Sequence, residues 1–209
     1  MTLDQEVAWL VEAQAGSQEA YTTLMELLEP DIRRFVRRRI DHPDTVDDIV
    51  QDTFLKFYLS LGKINPPENL RPYLFRIARN CVYDDLRRMG RGEDESLDDE
   101  VVEMRVSFVA TLQQPKPDDL THWMLLGMEV RAAMDLLPTA QRDALLLYSE
   151  EGLSYAEIAE VMEVSIGTIK SRLFHAKRTL VALLKPETVE VLQDEFTMPT
   201  RKKEEGVLQ

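Results

Sequence analysis

Apolar residues recur at three- and four-residue spacing along most of the chain, which is the period of an amphipathic helix. In the N-terminal part this pattern predicts helices over residues 3–10 and 20–28. Pro30 suits the first turn of a helix, so a separate helix is predicted from there to Ile40. Three helices are therefore expected before residue 41.

The same spacing continues through the next fifty residues. Asp44 can cap a helix that runs to Leu61, and a further helix begins at Leu70 or Arg71. Alternation of apolar and polar positions, the mark of a strand, does not extend beyond a few residues anywhere. The sequence predicts an all-α fold.

Residues 136–184 contain a helix-turn-helix pattern. Ser154 and Glu157 have the spacing of a capping box, and Ser165 can cap a second helix. Between them Glu163 stands at a turn position where glycine often relieves a left-handed backbone. Two helices joined by a tight turn are typical of a DNA-reading unit.

The second of these helices is predicted to bury one stripe and expose a polar one. Its buried stripe is Ile166, Ile169, Leu173 and Leu180. Its polar positions include Ser165, Thr168, Lys170, Ser171, Arg172, His175, Lys177 and Arg178. Hydroxyl and cationic groups of this kind hold phosphates or reach base edges. An ordinary solvated helix surface is the alternative.

The helix predicted from Asp44 carries a polar cluster on its early turns. The cluster consists of Asp47, Asp48, Gln51 and Asp52. Acidic groups near a helix N-terminus are favoured by the helix dipole, which explains Asp47 and Asp48 without any partner. An acidic docking face for a basic partner is the other interpretation, and the residues alone do not decide between the two.

The helix from residue 70 has the opposite character. Arginines alternate with aromatic and amide side chains: Arg71, Tyr73, Phe75, Arg76, Arg79, Asn80, Tyr83, Arg87 and Arg88. Such a mixture suits a single-stranded nucleic acid, whose bases stack while its phosphates pair with cations. The preceding loop, 62–69, holds two prolines and could form a stiff pocket for an unstacked base. A solvated helix with inward-packed aromatics, as expected for Phe75, is the alternative.

Charge divides the 209 residues into blocks. Residues 1–30 carry six acidic and no basic residues, whereas 31–92 carry nine acidic and thirteen basic ones. Residues 93–130 carry ten acidic residues against two basic ones. We therefore predict an N-terminal helical domain over 1–92, an acidic linker over 93–130, a helix-turn-helix domain over 131–184, and a tail over 185–209.

Several classes of protein are disfavoured by composition. The net charge of −13 is too acidic for a general nucleic-acid coat, and Cys81 is the only cysteine, which excludes an intramolecular disulfide. No metal-ligand spacing, phosphate-cradling glycine loop or catalytic triad is recognisable, so neither an enzyme nor a cofactor or metal is expected. Apolar runs are far shorter than the roughly 20 residues that span a bilayer, so no membrane insertion is expected and a cytoplasmic location is predicted.

Taken together, these motifs resemble a bacterial RNA polymerase sigma factor of the extracytoplasmic-function (ECF) type. Residues 47–54 are similar to the polymerase-binding helix of that family and residues 73–80 to its promoter-melting helix. Residues 137–142, 153–159 and 167–173 resemble its C-terminal promoter-reading domain. The three motifs stand in the family's order.

The resemblance implies core RNA polymerase and promoter DNA as partners. The coiled coil of the largest polymerase subunit would contact Asp47, Asp48, Gln51 and Asp52. The opened −10 element would contact Lys56, Lys63, Asn69, Tyr73, Arg76, Arg79, Asn80, Arg87 and Arg88, with a flipped base held by the 62–70 loop. The −35 element would contact Ser165, Thr168, Lys170, Ser171, Arg172, His175 and Arg178. Control by an anti-sigma factor is also implied.

A transcription regulator that uses only the helix-turn-helix is the rival class. It accounts for residues 136–184 but leaves the acidic helix and the arginine-aromatic helix without a purpose. The acidic segments also suggest that the free protein binds promoter DNA poorly until polymerase sequesters or repositions them, because like charges repel.

Overall fold

The structure, a computed structural model, describes residues 3–90 and 119–189, and every described regular element is helical. The helices are α1 (Leu3–Gln14), α2 (Gln18–Arg37), α3 (Pro43–Ser60), α4 (Leu70–Arg88), α5 (Asp119–Asp135), α6 (Thr139–Ser149), α7 (Tyr155–Met162) and α8 (Ile166–Leu183). Two 3₁₀ turns, Leu61–Lys63 and Pro67–Asn69, lie between α3 and α4. The predicted all-α fold is confirmed.

The described residues form two compact units that differ from the predicted division. Residues 3–90 and 143–173 form the first unit, and residues 119–142 and 174–189 form the second. Most of the helix-turn-helix segment thus belongs with the N-terminal helices. Polar contacts between residues far apart in sequence, described below, join the two segments.

The core of the first unit is built from the apolar stripes of its helices. Leu24, Leu28 and Ile32 of α2 are almost completely buried. The ring of Phe35 on α2 meets that of Phe75 on α4 edge to face, with centroids 5.6 Å apart. The inward packing predicted for Phe75 is confirmed.

Helix α2 runs through Pro30 without interruption, so the prediction of a separate helix starting there was wrong. A proline inside a helix costs about 3 kcal/mol because it lacks an N–H and crowds the preceding turn. Here Leu28, Ile32, Phe35 and Val36 on either side of it are all buried, and burial of one such side chain contributes about 1.5–3 kcal/mol. Core packing therefore outweighs the local preference.

The start of α3 also differs from the prediction. His42 is the N-cap, Pro43 occupies the first turn, and Asp44 lies inside that turn rather than at the cap. Proline favours this position because its φ is already helical and its missing N–H would have no partner there.

Helices α7 and α8 form the predicted helix-turn-helix. The Ser154 N–H donates to Glu157 Oε2 at 2.7 Å, and the Glu157 N–H donates to Ser154 Oγ at 3.3 Å, which completes the capping box. Glu163 ends α7 in the left-handed region at φ 55°, as the turn position indicated. Ile166 was expected in the buried stripe, but it is 47% exposed, because it lies in the first turn of α8, before Ile169 and Leu173 reach the core.

In the second unit, α5 begins at Asp119, within the stretch that the sequence assigned to the linker. The carboxylate of Glu129 accepts hydrogen bonds from the Lys185 N–H at 2.8 Å and from the Thr188 hydroxyl at 3.1 Å. The rest of the predicted linker, residues 93–118, and the tail beyond residue 189 lie outside the described residues. None of the described helices is both long and apolar enough to cross a membrane.

Candidate functional site

The acidic cluster of α3 lies on its solvent face. The side chains of Asp47, Asp48, Gln51 and Asp52 are exposed, while Ile49, Val50, Phe54 and Phe57 on the other face are buried. Amphipathic spacing therefore presents all four polar groups to solvent. Hydrogen bonds with Asp47 and with Glu29 raise the pKa of Arg33, so this arginine holds one end of the cluster in place.

A cavity of about 180 Å³ lies where the loop before α4 meets α4. Of the residues predicted to contact the −10 strand, it is lined by Lys63, Asn69, Tyr73 and Arg76. The Arg76 guanidinium sits 4.9 Å from the centre of the Tyr73 ring. The structure thus brings together a cation, an amide and an aromatic face around one concave surface. Glu160 of α7 lines the same cavity.

The other predicted −10 residues are dispersed. Asn80, Arg87 and Arg88 are exposed on the later turns of α4. The Lys56 ammonium on α3 donates to the Cys81 sulfur at 3.3 Å. Lys56 and Arg88 line a second, wider cavity together with Asp52, a predicted polymerase contact.

Arg79 is buried, only 7% exposed, and thus does not reach the surface where a −10 contact was predicted. Its guanidinium lies 4.4 Å from the centre of the Tyr83 ring, and its Nε is 3.6 Å from Oδ2 of Asp143. The Tyr83 hydroxyl donates to the same Asp143 oxygen at 2.7 Å, and Arg39 forms a further ion pair with Asp143. Asp143 is itself 1% exposed, which makes it the centre of a buried charge cluster.

Sequence reasoning missed this Asp143 cluster, defined as Arg39, Arg79, Tyr83 and Asp143. Arg39 follows the end of α2, Arg79 and Tyr83 lie on α4, and Asp143 lies on α6, 60 residues beyond Tyr83. No local pattern identifies the partners of Asp143, because they lie on other helices. A charged residue placed among Ala144 and Leu145 to Leu147 was the available signal, since buried acids are paired.

Two further ion pairs, here called the rim pairs, flank the Asp143 cluster. Arg34 donates to both carboxylate oxygens of Glu151, with the shortest contact, from Nη2, at 2.9 Å. Arg38 donates to Glu150 at 2.5 Å. Burial raises the pKa of Glu151, and the Arg34 guanidinium opposes that rise. Pairing with Arg34 therefore offsets part of the cost of burying the charged Glu151 carboxylate.

The polar positions of α8 divide into three groups. Ser165 Oγ accepts from the Thr168 N–H at 3.1 Å and lies 2.9 Å from the Thr168 hydroxyl, so this pair caps the helix. Lys170 and Arg178 are exposed, whereas Ser171 and His175 are half-buried. Arg172 is also half-buried, and its Nε and Nη1 are enclosed without a hydrogen-bond acceptor among the described residues.

Within the described residues, no group of three or more His, Cys, Asp or Glu side chains is placed to hold a metal ion.

Comparison with known proteins identifies two matched segments and several relatives. The family described as Sigma-70 region 2 matches residues 24–92, and the family described as Sigma-70, region 4 matches residues 127–180. The ECF RNA polymerase sigma factor EcfG of Rhodopseudomonas palustris is 36% identical over 155 residues, which is 74% of this chain and 80% of that protein. The ECF RNA polymerase sigma-E factor of Escherichia coli is 30% identical over 179 residues, 85% of this chain and 93% of that protein.

Solved structures give the same result. The sigma factor RpoE of Bartonella quintana, in complex with the anti-sigma factor NepR, aligns with a TM-score of 0.57 at 30% identity, over 79% of this chain and 97% of that chain. CnrH, in complex with the cytosolic domain of CnrY, aligns with a TM-score of 0.61 at 24% identity, over 86% of this chain and 96% of that chain, and shows the fold alone.

The two matched regions, in this order on a helical fold, are those of sigma-70-type initiation factors. The chain belongs to the ECF family of RNA polymerase sigma factors, which direct transcription initiation at specific promoters. The resemblance inferred from the motifs is confirmed.

Proposed function

We propose that this chain binds core RNA polymerase through the exposed acidic face of α3, engages the opened −10 strand at the cavity before α4, and reads the −35 element with α8. The observation that carries this assignment is the cavity lined by Lys63, Asn69, Tyr73 and Arg76. On one concave surface, the cations can pair with the phosphates of a single-stranded nucleic acid, the aromatic ring can stack on a base, and the amide can form hydrogen bonds with it. The exposed cluster on α3 supports the polymerase contact.

The polymerase contact is tested by reversing one charge on α3. Asp48→Arg is expected to abolish co-elution with core polymerase, because an exposed carboxylate that meets a basic surface becomes a repelling cation. The helix should stay intact, since an acid near its N-terminus contributes only about 0.3–1 kcal/mol. Gel filtration of chain and polymerase together, with circular dichroism as a folding check, measures both.

Glu12→Arg is the matched control, because Glu12 is an exposed acid outside the α3 cluster. It makes the same change in net charge and should leave co-elution intact. Co-elution of Asp48→Arg at the wild-type level contradicts the docking face, and a wild-type chain that never co-elutes supports the rival regulator that acts without polymerase.

The −35 contact rests on α8, whose matched family segment covers residues 127–180. Lys170 and Arg178 are exposed and free to meet phosphates or bases, and the Ser165–Thr168 pair leaves its hydroxyl oxygens near the helix N-terminus. Two guanidinium nitrogens of Arg172, Nε and Nη1, are enclosed, so a contact with DNA through them requires the side chain to turn outward.

Control by an anti-sigma factor is supported by the RpoE–NepR complex, whose sigma chain is 30% identical to this one. In extracts of uninduced cells, this chain is expected to elute in a complex that lacks polymerase, and after the inducing signal to elute with polymerase. A chain that elutes alone before induction contradicts this control.

A further inference from the structure

Helix α1 is tied to the loop that lines the −10 cavity. Gln14, its last residue, donates from Nε2 to the carbonyl oxygens of Leu61 at 2.8 Å and of Ile64 at 3.0 Å. Both carbonyls belong to the start of the loop, and Ile64 lines the cavity. One amide group therefore sets the spacing of two loop carbonyls while it lines no part of the cavity itself.

A second anchor holds the other end of the same loop. Glu6 of α1 is 6% exposed and accepts from Arg71 Nε at 2.9 Å and from Nη2 at 2.7 Å. Arg71, in the first turn of α4, also donates to Asp31 of α2 at 3.1 Å. A bidentate pair of this kind fixes orientation as well as distance. Helix α1 thus contacts the loop at both ends, through Gln14 where the loop begins and through Glu6 where it ends.

We propose that α1 is a brace for the −10 cavity and that Gln14 is a positioning residue for the unpaired base held there. This inference rests on the proposed function. Neither Gln14 nor Glu6 lies in the segment matched by Sigma-70 region 2, which begins at residue 24. Stacking and hydrogen bonding to a base depend on the placement of Tyr73 and Asn69. If Gln14 no longer holds the Leu61 and Ile64 carbonyls, the loop shifts and contacts with the base are lost, although every residue that lines the cavity is still present.

The test uses holoenzyme and a forked promoter DNA whose non-template −10 strand is single-stranded. Each −10 base in turn is replaced by an abasic sugar, and the loss of affinity locates the base that the cavity holds. One stacked base is worth about 1–3 kcal/mol, so the wild-type loss at that position is expected to be roughly 5- to 150-fold. Gln14→Ala should weaken the binding of holoenzyme to the intact forked DNA several-fold. Removing the base at that position should then cost the variant less affinity than it costs wild type, and removing any other base should cost both the same.

Two companion variants sharpen the result. Gln14→Glu keeps the size of the side chain but cannot donate a hydrogen bond, so it should behave like Gln14→Ala. Gln5→Ala removes an exposed glutamine from the same helix and should behave like wild type. Co-elution with polymerase shows that every variant forms holoenzyme.

The outcomes separate the brace from the proposed function. An abasic loss that is as large in Gln14→Ala as in wild type overturns the brace and leaves the cavity assignment standing. A wild-type holoenzyme that shows no sensitive position contradicts the cavity assignment, and the brace with it.

A different set of contacts carries a second inference. Carboxylates of the helix-turn-helix segment pair with arginines on α2, just after α2 and on α4. Asp143 pairs with Arg39 and Arg79, and the rim pairs join Glu151 to Arg34 and Glu150 to Arg38. Near the −10 cavity, Glu163 Oε1 lies 4.0 Å from Arg76 Nη1, and Glu160 lines the cavity wall.

We propose that in the free chain this acidic surface covers the −10 cavity: Glu160 and Glu163 compete with the strand at Arg76, and the rim pairs and the Asp143 cluster hold their segment in place. This deepens the proposed function. Phosphates and carboxylates are interchangeable partners for guanidinium groups. The acids that act here lie within residues 143–163, rather than in the acidic segments 1–30 and 93–130 that the charge pattern singled out.

The test measures binding of a fluorescent single-stranded −10 oligonucleotide to the free full-length chain. Glu150→Gln/Glu151→Gln removes the rim pairs. Arg34 keeps its contact with Asp31, and the Arg38 side chain, 26% exposed, stays in reach of water. We expect tenfold tighter binding than wild type, with holoenzyme affinity unchanged. Asp143→Asn, checked for folding by circular dichroism, should act in the same direction.

Glu12→Gln/Glu26→Gln is the matched control, because both residues are exposed acids of the 1–30 segment. It changes the net charge from −13 to −11, as the rim variant does. If the control tightens binding as much as the rim variant, net charge explains the effect and the competition is refuted. Rim variants that bind no better than wild type refute it as well, while holoenzyme that fails to bind the strand contradicts the −10 assignment instead.

Discussion

At the scale of single residues, Glu163 illustrates a local signal that was read correctly. Its turn position indicated a left-handed backbone, and the structure places it at φ 55° and ψ 41° with its N–H bonded to the Ala159 carbonyl. A side chain in this region costs about 1–2 kcal/mol relative to glycine. Glu163→Gly is therefore expected to raise the free energy of unfolding by about 1 kcal/mol, measured by urea denaturation.

Glu163→Ala separates backbone strain from charge. It removes the carboxylate near Arg76 but keeps the Cβ, so it should give no such gain. Equal stability of the Gly and Ala variants contradicts the strain argument.

Asp143 shows what residue-level patterns do not contain. A capping box such as Ser154–Glu157 spans four residues and can be read from the sequence, because both partners lie in one turn. The partners of Asp143 lie 60 to 104 residues away, so their meeting depends on the packing of whole helices. The same packing buries Arg79, which the local pattern of arginines and aromatics placed on the DNA surface.

At the scale of helices, Tyr21 couples α2 to α3. Its hydroxyl donates to the Phe54 carbonyl at 2.8 Å, and its ring lies 4.9 Å from that of Tyr58. Burial, with a smaller contribution from Tyr58, raises the pKa of Tyr21 to about 12. Because the unfolded tyrosine ionises from pH 10, the folded state loses stability as pH rises from about 10 to 12.

Tyr21→Phe should reduce the fall in the free energy of unfolding between pH 10 and 12. At neutral pH it should lower that free energy by about 1 kcal/mol, because the hydrogen bond to Phe54 is lost. Since Tyr21 is only half-buried, solvent screening limits the pH-dependent part to about 1 kcal/mol. Urea unfolding at pH 9 and pH 11.5 measures both effects. Identical pH slopes for wild type and Tyr21→Phe are the contrary result.

Helix existence was predicted well and helix limits less well, for a physical reason. Apolar spacing reports burial, so the presence of the helices α3, α4 and α7 was correctly predicted. Proline reports only a local preference, and at Pro30 four buried neighbours outweigh it. At Pro43 the local preference prevails, and α3 begins there, one residue before the cap that was expected at Asp44.

At the scale of the whole molecule, the sequence predicted two modules on a linker, whereas residues 143–173 pack with the N-terminal helices. The sequence shows where charged residues lie along the chain, but it does not show which of them form ion pairs. Arginines of α2 and acids of α6 and the following loop look like solvated surfaces when each is read alone. Only their pairing shows that the two segments share an interface.

Salt should therefore loosen that interface in a graded way. The rim arginines Arg34 and Arg38 are 41% and 26% exposed, whereas Asp143 is 1% exposed. Exposed pairs contribute about 0.2–1 kcal/mol each and are screened when the Debye length falls from about 10 Å towards 3 Å, while buried pairs are screened much less. Raising sodium chloride from 0.05 to 0.5 M is expected to speed amide hydrogen exchange in α4 and α7 by roughly twofold to tenfold.

The rim variant Glu150→Gln/Glu151→Gln provides the decisive comparison. Its exchange at low salt should already match that of wild type at high salt, and further salt should change it little, because the screened pairs are gone while the Asp143 cluster remains. If wild type and variant respond to salt equally, the response comes from charges elsewhere on the chain. If neither responds, apolar packing of α7 on α4 holds the interface and the rim pairs contribute nothing measurable.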